Sequence, residues 1–217
     1  MVSSPKVSPR AQIEAAVLHG HLWKYRVSTL ALLAEAYFSE GKRPRELARK
    51  VVSPLIAQGL LAELRLVIRP VPQLSKPTFV WSSGRAAPNA NALSYLLEKR
   101  FGKPSVQTTV FFATRAAVRR FGGRGGQIKR SHQVSHDLAC TAVYLRLEQT
   151  RPEVARDWKN EDFYAGTLKR GEKLGDALLI GPDGPYRLIE VLGRYTAKHI
   201  QALHDFSAAK ELPYELW

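Results

Sequence analysis

The chain has 217 residues, of which 45% are apolar, so it is long enough for one large or two small domains with hydrophobic cores. It has no run of about 18 apolar residues that would predict a membrane span. Its N-terminus lacks the apolar stretch of a secretory signal, so we expect a cytoplasmic protein. The single cysteine, Cys140, excludes an intramolecular disulfide framework and a CxxC metal site, and we expect it to be a small buried hydrophobe.

Positive charge is concentrated in the first part of the chain. Residues 1–131 contain 22 Lys and Arg against 6 Glu, a net charge of +16, whereas residues 132–217 contain 11 against 13 Asp and Glu, a net charge of −2. A segment with this excess of cations attracts polyanions through counterion release, which predicts nucleic acid as the partner. A merely solubilising surface is the alternative, but solubility does not require that acids be scarce in one half only. The sequence predicts no strongly amphipathic basic helix with an aromatic face, so a membrane surface is not indicated as the partner.

The first 83 residues predict three helices followed by two strands. Helical spacing of apolar residues is found over 10–23 and 28–40. A third helix is expected over 44–58, since proline suits a first helical turn and Gly59 a helix stop. Pro54 lies inside this helix and predicts a kink there or a break at Ser53. Two β-rich runs follow, 61–69 and 77–82, and we expect them to pair as a hairpin.

This order resembles the winged helix-turn-helix family over about residues 10–83. The resemblance implies that the 44–58 helix enters the major groove of double-stranded DNA and that the hairpin contacts the backbone. It assigns DNA contacts to the basic residues of the helix and of the wing tip, namely Arg43, Arg45, Arg49, Lys50 and Lys76. A winged helix used for protein contacts is the alternative.

Residues 84–130 are expected to be a basic connecting segment. The stretch GGRGGQIKRS is rich in glycine and cations but lacks the GxxxxGK[ST] spacing of a P-loop. We interpret it as a hinge whose Arg124, Lys129 and Arg130 are available for phosphate contacts.

From Ser131 onwards the patterns predict the order α-β-β-β-α-β. Asp176 opens the second strand, and Glu190 lies inside the third between Ile189 and Val191. A carboxylate within an apolar strand requires a compensating partner. The segments are SHQVSHDLACTAVYLRLEQ, DFYAG, DALLIGPDGPYRLIEVLG with its turn at GPDGP, YTAKHIQALHDFSAAK and PYELW.

This order, with the two acids, resembles the PD-(D/E)XK nuclease superfamily. The resemblance implies a restriction-endonuclease-like domain over 131–217 in which Asp176 and Glu190 are catalytic and bind Mg²⁺. The motif lysine, two residues after the glutamate, is replaced by Leu192, and Lys198 on the following helix is the candidate displaced lysine. An active domain would need Mg²⁺ as cofactor, and a degenerate one would need none.

The whole chain also resembles the replication-relaxation family of plasmids and other mobile elements. The matching stretches are HDLA at 136–139, DALLI at 176–180 and IEV at 189–191. The resemblance implies an α+β chain with a winged-helix domain over 1–83, the connecting segment 84–130 and a nuclease-like domain over 131–217. It implies binding of double-stranded DNA in replication or maintenance, with homodimerisation and contacts to replication or mobilisation proteins as further expectations.

Three functions stay open at this point. The first is a DNA-binding protein whose nuclease-like domain is degenerate, which the missing motif lysine favours. The second is an active Mg²⁺-dependent DNA endonuclease that uses Asp176, Glu190 and Lys198, and the third is a winged-helix transcriptional repressor. His136 and Asp137 form either a metal-adjacent pair or an ordinary first helical turn with an acid favourably placed at the helix dipole.

Overall fold

The structure is a computed structural model that describes residues 8–100, 103–126, 128, 133–164, 175–191, 193 and 195–217. The chain is of the mixed α+β class, as predicted. Its described helices are α1 (Pro9–Trp23), α2 (Leu30–Phe38), α3 (Pro44–Ala57), α4 (Ala90–Arg100), α5 (Arg115–Phe121), α6 (Val134–Thr150), α7 (Pro152–Asp157), α8 (Glu161–Tyr164) and α9 (Ala197–Ala209). Its described strands are β1 (Leu61–Ile68), β2 (Phe79–Trp81), β3 (Val106–Ala113), β4 (Trp158–Asn160), β5 (Ala177–Gly181), β6 (Gly184–Glu190) and β7 (Tyr214–Leu216). No described helix is long and apolar enough to cross a bilayer.

The chain divides into two compact units. Unit 1 comprises Met1–Leu66 and Thr108–Ser131, and unit 2 comprises Val67–Gln107 and His132–Trp217. Unit 1 is therefore built from two separate stretches of chain, and the boundaries differ from the three-part division expected at residues 83 and 130.

Four described helices, α1, α2, α3 and α5, and most of the β1–β3 pair form unit 1. Thr29 caps α2 by accepting a hydrogen bond from the amide of Leu32 at 3.2 Å, as expected for a threonine before a helix. The preceding residue, Ser28, forms an antiparallel bridge with Phe111 of β3, with backbone hydrogen bonds of 3.0 and 2.9 Å. Ser28 thus attaches to β3 through a one-residue bridge. The core of this unit is mainly apolar, and its most buried apolar members include Val17, Leu33, Val51, Val52 and Phe111.

The predicted break of α3 at Ser53 is wrong, because the helix continues through Pro54 to Ala57. Proline has no N–H to donate to the carbonyl four residues earlier, which is that of Lys50. The guanidinium of Arg10 donates to this carbonyl oxygen instead, at 2.7 Å. A side chain from α1 therefore replaces the helix bond that Pro54 removes.

The predicted hairpin between 61–69 and 77–82 does not form. The first of these strands, β1, pairs with β3, and the second, β2, pairs with β7 near the end of the chain. The reason is apolar packing. Trp81 is buried and stacks on Tyr214 of β7, with ring centroids 5.6 Å apart. Residues between the two runs, including Lys76, consequently belong to unit 2 and do not form a wing tip.

Unit 2 is built on a five-stranded sheet with the order β2-β7-β6-β5-β4. Strands β4, β5 and β6 are antiparallel neighbours, whereas β6 and β7 are parallel and are joined by α9. Apart from the short helices α7 and α8, which precede and follow β4, the order α6-β4-β5-β6-α9-β7 agrees with the predicted α-β-β-β-α-β order. The first strand is not DFYAG but Trp158–Asn160, and the described part of DFYAG is helical.

Both faces of the central strand β6 are covered. Leu188 packs in a cluster with residues of α4, α9 and β7, among them Leu97, Leu203 and Tyr214. Ile189 lies on the other face by strand alternation and is fully buried. The end of β6 therefore places Glu190 inside the protein, where it is only 4% exposed.

Candidate functional site

Asp176 lies immediately before β5, at the point where this strand meets the end of β6. The register pairs Ala177 with Ile189, so the next pair along the ladder places Asp176 beside Glu190. The amide of Val191 donates a hydrogen bond to Oδ2 of Asp176 at 2.7 Å. The two acids that the sequence singled out are thus neighbours, and a backbone donor fixes one of them.

The other oxygen of Asp176 contacts the first turn of α6. Nε2 of His136 lies 2.7 Å from Oδ1 of Asp176, and Sγ of Cys140 lies 3.6 Å from the same Nε2. His136 and Cys140 are four residues apart on one helix and therefore share a face. Among the described residues, these three form a group whose ligand atoms all lie within 4.8 Å of one another. We refer to His136, Cys140 and Asp176 as the HCD cluster.

Charges in the HCD cluster follow from its contacts. The adjacent Cys140 sulfur, together with the hydrogen bond and negative charge of Asp176, raises the pKa of His136 against the opposing effect of burial. Burial, with the charge of Asp176, raises the pKa of the Cys140 thiol to about 12, although His136 acts in the opposite direction. At neutral pH the raised pKa of Cys140 keeps its thiol neutral, and the hydrogen bond to Asp176 favours the protonated ring of His136.

Glu190 is held by a tyrosine. The Tyr195 hydroxyl donates to Oε1 of Glu190 at 2.7 Å, and the backbone carbonyl of Glu190 accepts from the amide of Trp217 at 2.9 Å. Burial and the negative charges of Glu190 and Asp176 raise the pKa of Tyr195, so this hydroxyl stays protonated and remains a donor. Tyr164 approaches from α8 and donates to the carbonyl of Gly175, next to Asp176.

The predicted lysine, Lys198, makes no described contact with the acids. Lys198 is exposed on the first turn of α9, and none of the contacts made by the described residues joins it to Asp176 or Glu190. Leu192, at the position of the motif lysine, lies outside the described residues. The role of Lys198 as a displaced catalytic lysine gains no geometric support.

The donor set around the two acids does not fit Mg²⁺. This ion prefers octahedral oxygen ligands and keeps several waters. Both oxygens of Asp176 accept hydrogen bonds from nitrogen donors, Oε1 of Glu190 accepts from a phenol, and an imidazole and a thiol lie next to Asp176. We therefore derive no catalytic step through Mg²⁺ at this site.

Sequence reasoning overlooked three members of the site. Cys140 was expected to be a plain buried residue, yet it is partly exposed and contacts His136. Its spacing of four residues from His136 on a predicted helix was a usable signal. Tyr164 and Tyr195 had no such signal, because their roles depend on contacts that only the fold creates.

The basic residues predicted on α3 are all exposed. Arg43 lies 3.4 Å from Glu46, and both side chains are well exposed to solvent. Arg49 lies 3.3 Å from Glu63, and its guanidinium carbon is 5.7 Å from the ring centroid of Phe111. Exposed ion pairs of this kind are weak, so they leave the arginines available to phosphate. Arg45 and Lys50 are likewise exposed.

Other basic residues belong to different parts of the chain. Arg124 is exposed in unit 1, Lys76 is exposed in unit 2, and Lys129 and Arg130 lie outside the described residues. Sequence reasoning did not single out the exposed arginines of α5, which are Arg115, Arg119 and Arg120.

No protein-family model, curated protein or solved structure matches this chain. The winged-helix, nuclease and replication-relaxation resemblances therefore stay hypotheses drawn from motifs. What the chain does has to be argued from its charge and from the geometry of its two units.

Proposed function

We propose that this chain binds double-stranded DNA through unit 1, and that unit 2 has a nuclease-like topology without a Mg²⁺-dependent cutting site. The observation that carries the proposal is the charge of the two units. Unit 1 contains 16 Lys and Arg against 5 Glu, a net charge of +11, whereas unit 2 contains 17 against 14 Asp and Glu, a net charge of +3. The cation excess therefore lies mainly in one compact unit, where a polyanion would bind.

The order of elements in unit 1 supports a winged helix. The order is α1, the bridge at Ser28, α2, α3, β1 and then β3. This is the order of a winged helix-turn-helix in which residues 69–105 are inserted between the two wing strands. The proposed wing is thus β1 with β3, rather than β1 with β2.

Helix α3 has the amphipathic character of a recognition helix. Ala48, Val51 and Leu55 are buried on one side. Arg45 and Arg49 are exposed, and their spacing of four residues places them on one face. Arginines on such a face reach phosphates or the guanine edge in the major groove.

The topology of unit 2 supports the nuclease-like part of the proposal. An antiparallel β4-β5-β6 meander followed by α9 and the parallel strand β7 is the arrangement expected for an αβββαβ domain. The engagement of Asp176 by His136 and of Glu190 by Tyr195 supports a degenerate site. A role in the replication or maintenance of a plasmid or mobile element rests on the motif resemblance alone.

An active endonuclease is the second candidate, and the proximity of Asp176 and Glu190 in the β5–β6 register favours it. It requires that a metal displace the present hydrogen-bond donors. No described feature of the structure specifically favours the hypothesis of a transcriptional repressor.

DNA binding is tested by fluorescence anisotropy with a labelled duplex over a series of salt concentrations. We expect log K to fall linearly with log salt, with a slope of about −0.9 for each phosphate neutralised. Absence of binding at low salt, or an affinity that does not depend on salt, would contradict the proposal.

A further inference from the structure

We propose that the HCD cluster is a binding site for zinc or a similar borderline-soft divalent metal ion. The ligands are Nε2 of His136, Sγ of Cys140 and a carboxylate oxygen of Asp176. The inference does not depend on DNA binding, because all three residues belong to unit 2 and none is among the proposed DNA contacts.

The spacing of the three ligand atoms fits a tetrahedral ion. With zinc bonds of about 2.0–2.2 Å to nitrogen and oxygen and about 2.3 Å to sulfur, tetrahedral nitrogen and sulfur ligands lie roughly 3.6 Å apart. The observed separation of His136 Nε2 and Cys140 Sγ is 3.6 Å. The separation of Nε2 and Asp176 Oδ1 is 2.7 Å and would open to roughly 3.4 Å when a metal replaces the shared proton. The third pair, Cys140 Sγ and the Asp176 oxygen, lies within 4.8 Å and would need a separation of roughly 3.6 Å, so adjustment of the Asp176 and Cys140 side chains brings all three atoms to tetrahedral spacing.

Local structure holds the ligands in place without the metal. His136 and Cys140 lie one turn apart on α6, so the helix itself sets their separation. The Val191 amide fixes the Asp176 carboxylate by donating to Oδ2, and Tyr164 fixes the neighbouring backbone by donating to the carbonyl of Gly175. Partners of this kind orient metal ligands and tune their affinity.

The degree of burial suits an open metal site. The side chain of His136 is 34% exposed and that of Asp176 is 13% exposed, so an ion can enter from the histidine side. Three protein ligands leave a fourth tetrahedral position for water, which is the pattern of zinc sites with exchangeable ligands. The nitrogen, sulfur and oxygen set selects zinc, cobalt or nickel over Mg²⁺, since thiolate and imidazole are softer ligands than carboxylate alone.

Cobalt(II) is the probe of choice, because a thiolate ligand produces a charge-transfer band in the near ultraviolet and tetrahedral coordination produces visible d–d bands. The metal-free full chain is titrated with cobalt(II). We expect one ion per chain, both sets of bands, and their loss on addition of zinc. Cys140 is the single cysteine of the chain, so the charge-transfer band reports on this residue alone.

Variants assign the ligands. Cys140→Ser should abolish the charge-transfer band, and His136→Ala and Asp176→Asn should each weaken cobalt binding at least roughly tenfold. His199→Ala, which removes an exposed histidine outside the HCD cluster, should bind like the wild type. Circular dichroism shows whether each variant folds. If a variant does not fold, the wild type still decides the matter through its band and through competition with Mg²⁺.

Three results would overturn the proposal. They are a wild-type chain that shows no charge-transfer band, a band that persists in folded Cys140→Ser, and displacement of cobalt by Mg²⁺ at comparable concentration. Loss of DNA binding with the cobalt spectrum intact would count against the proposed function only.

Discussion

The guanidinium of Arg10 donates to the carbonyl oxygen of Lys50 at 2.7 Å, and this carbonyl is the one that Pro54 deprives of its helix partner. A residue of α1 therefore allows α3 to continue past a proline. The contact ties the position of the proposed recognition helix to α1. Arg10 also lies 2.9 Å from Glu14 on its own helix, and this pair can be tested separately.

Replacing Arg10 with Ala should lower the free energy of unfolding by roughly 0.5–1 kcal/mol, because the Lys50 carbonyl loses a partly exposed hydrogen bond. In a Pro54→Ala background the new amide at position 54 can donate to the same carbonyl, so the further loss should nearly vanish. Urea denaturation of the four chains of this double-mutant cycle measures the difference. Glu14→Ala is the matched control, since it removes the ion pair and keeps the Arg10–Lys50 bond. Equal losses in both backgrounds would show that Arg10 does not compensate for the proline.

His21 should make unit 1 sensitive to acid. Burial lowers its pKa from 6.5 to about 4, and its ring nitrogens lie 2.8 Å from the Val17 carbonyl and 2.9 Å from the Ser28 hydroxyl. The folded state holds the neutral ring, so its contribution is complete above pH 6.5 and is lost as the pH falls towards 4. The shift corresponds to roughly 3 kcal/mol.

Urea denaturation at a series of pH values, followed by tryptophan fluorescence to which Trp23 contributes as one of four tryptophans, measures this effect. In His21→Gln the steep part of the stability profile between pH 6.5 and 4 should flatten. An unchanged slope in a folded His21→Gln chain would assign the acid sensitivity to other groups.

Glu215 should be a main determinant of the stability of unit 2. It is 1% exposed and accepts hydrogen bonds from Arg151 at 3.1 Å, from Arg187 at 2.6 Å and from the indole N–H of Trp217 at 2.9 Å. Burial alone would raise its pKa, but the hydrogen bonds and charges of the two arginines outweigh this and lower it. Its contribution is therefore present above the ordinary glutamate pKa and is lost as the pH falls through the lowered value.

Glu215→Gln should cost about 3–5 kcal/mol, because it leaves two arginines facing a neutral group. Glu153→Gln, which changes an exposed glutamate of α7, should cost little. Urea denaturation compares the two variants, and a similar cost for both would show that the Glu215 contacts contribute no net stability.

Plasmid DNA should remain uncut when the chain is incubated with Mg²⁺ or Mn²⁺ under conditions where it binds the DNA. The physical reason is that His136 and Tyr195 engage the two acids and that no hydrogen bond or ion pair of the described residues joins Lys198 to them. Agarose gels of supercoiled plasmid measure nicking. Cleavage by the wild type that is abolished in Glu190→Gln and in Lys198→Ala would establish the endonuclease instead.

Most of the element order in residues 134–217 could be predicted because those elements have local signals, whereas the first strand was wrongly predicted at DFYAG instead of Trp158–Asn160. The turn GPDGP marks the β5–β6 hairpin, and apolar spacing marks α6 and α9. The pairing of β2 with β7 had no such signal, since it joins stretches more than one hundred residues apart through the packing of Trp81 on Tyr214. The prediction that β1 pairs with β2, the next strand along the chain, was therefore wrong.

Prediction of the candidate site was likewise limited by contacts between distant parts of the chain. The nearness of Asp176 and Glu190 could be predicted from the hairpin, but their register could not, because a bulge between Leu179 and Ile180 shifts the pairing by one residue. The contact between His136 and Asp176 spans 40 residues and depends on how α6 packs in the unit. The role of Arg10 could not be predicted from the sequence either, because its partner Lys50 is also 40 residues away.

The salt dependence of duplex binding by an Arg45→Ala, Arg49→Ala double variant tests the central claim most directly. If both arginines of α3 contact phosphates, the slope of log K against log salt should become less steep by about 1.8, which is two contacts at about 0.9 each. The matched control is Arg85→Ala, which removes one exposed arginine from unit 2 and should leave the slope unchanged. A double variant with the wild-type affinity and slope would contradict the assignment of DNA binding to this face of unit 1.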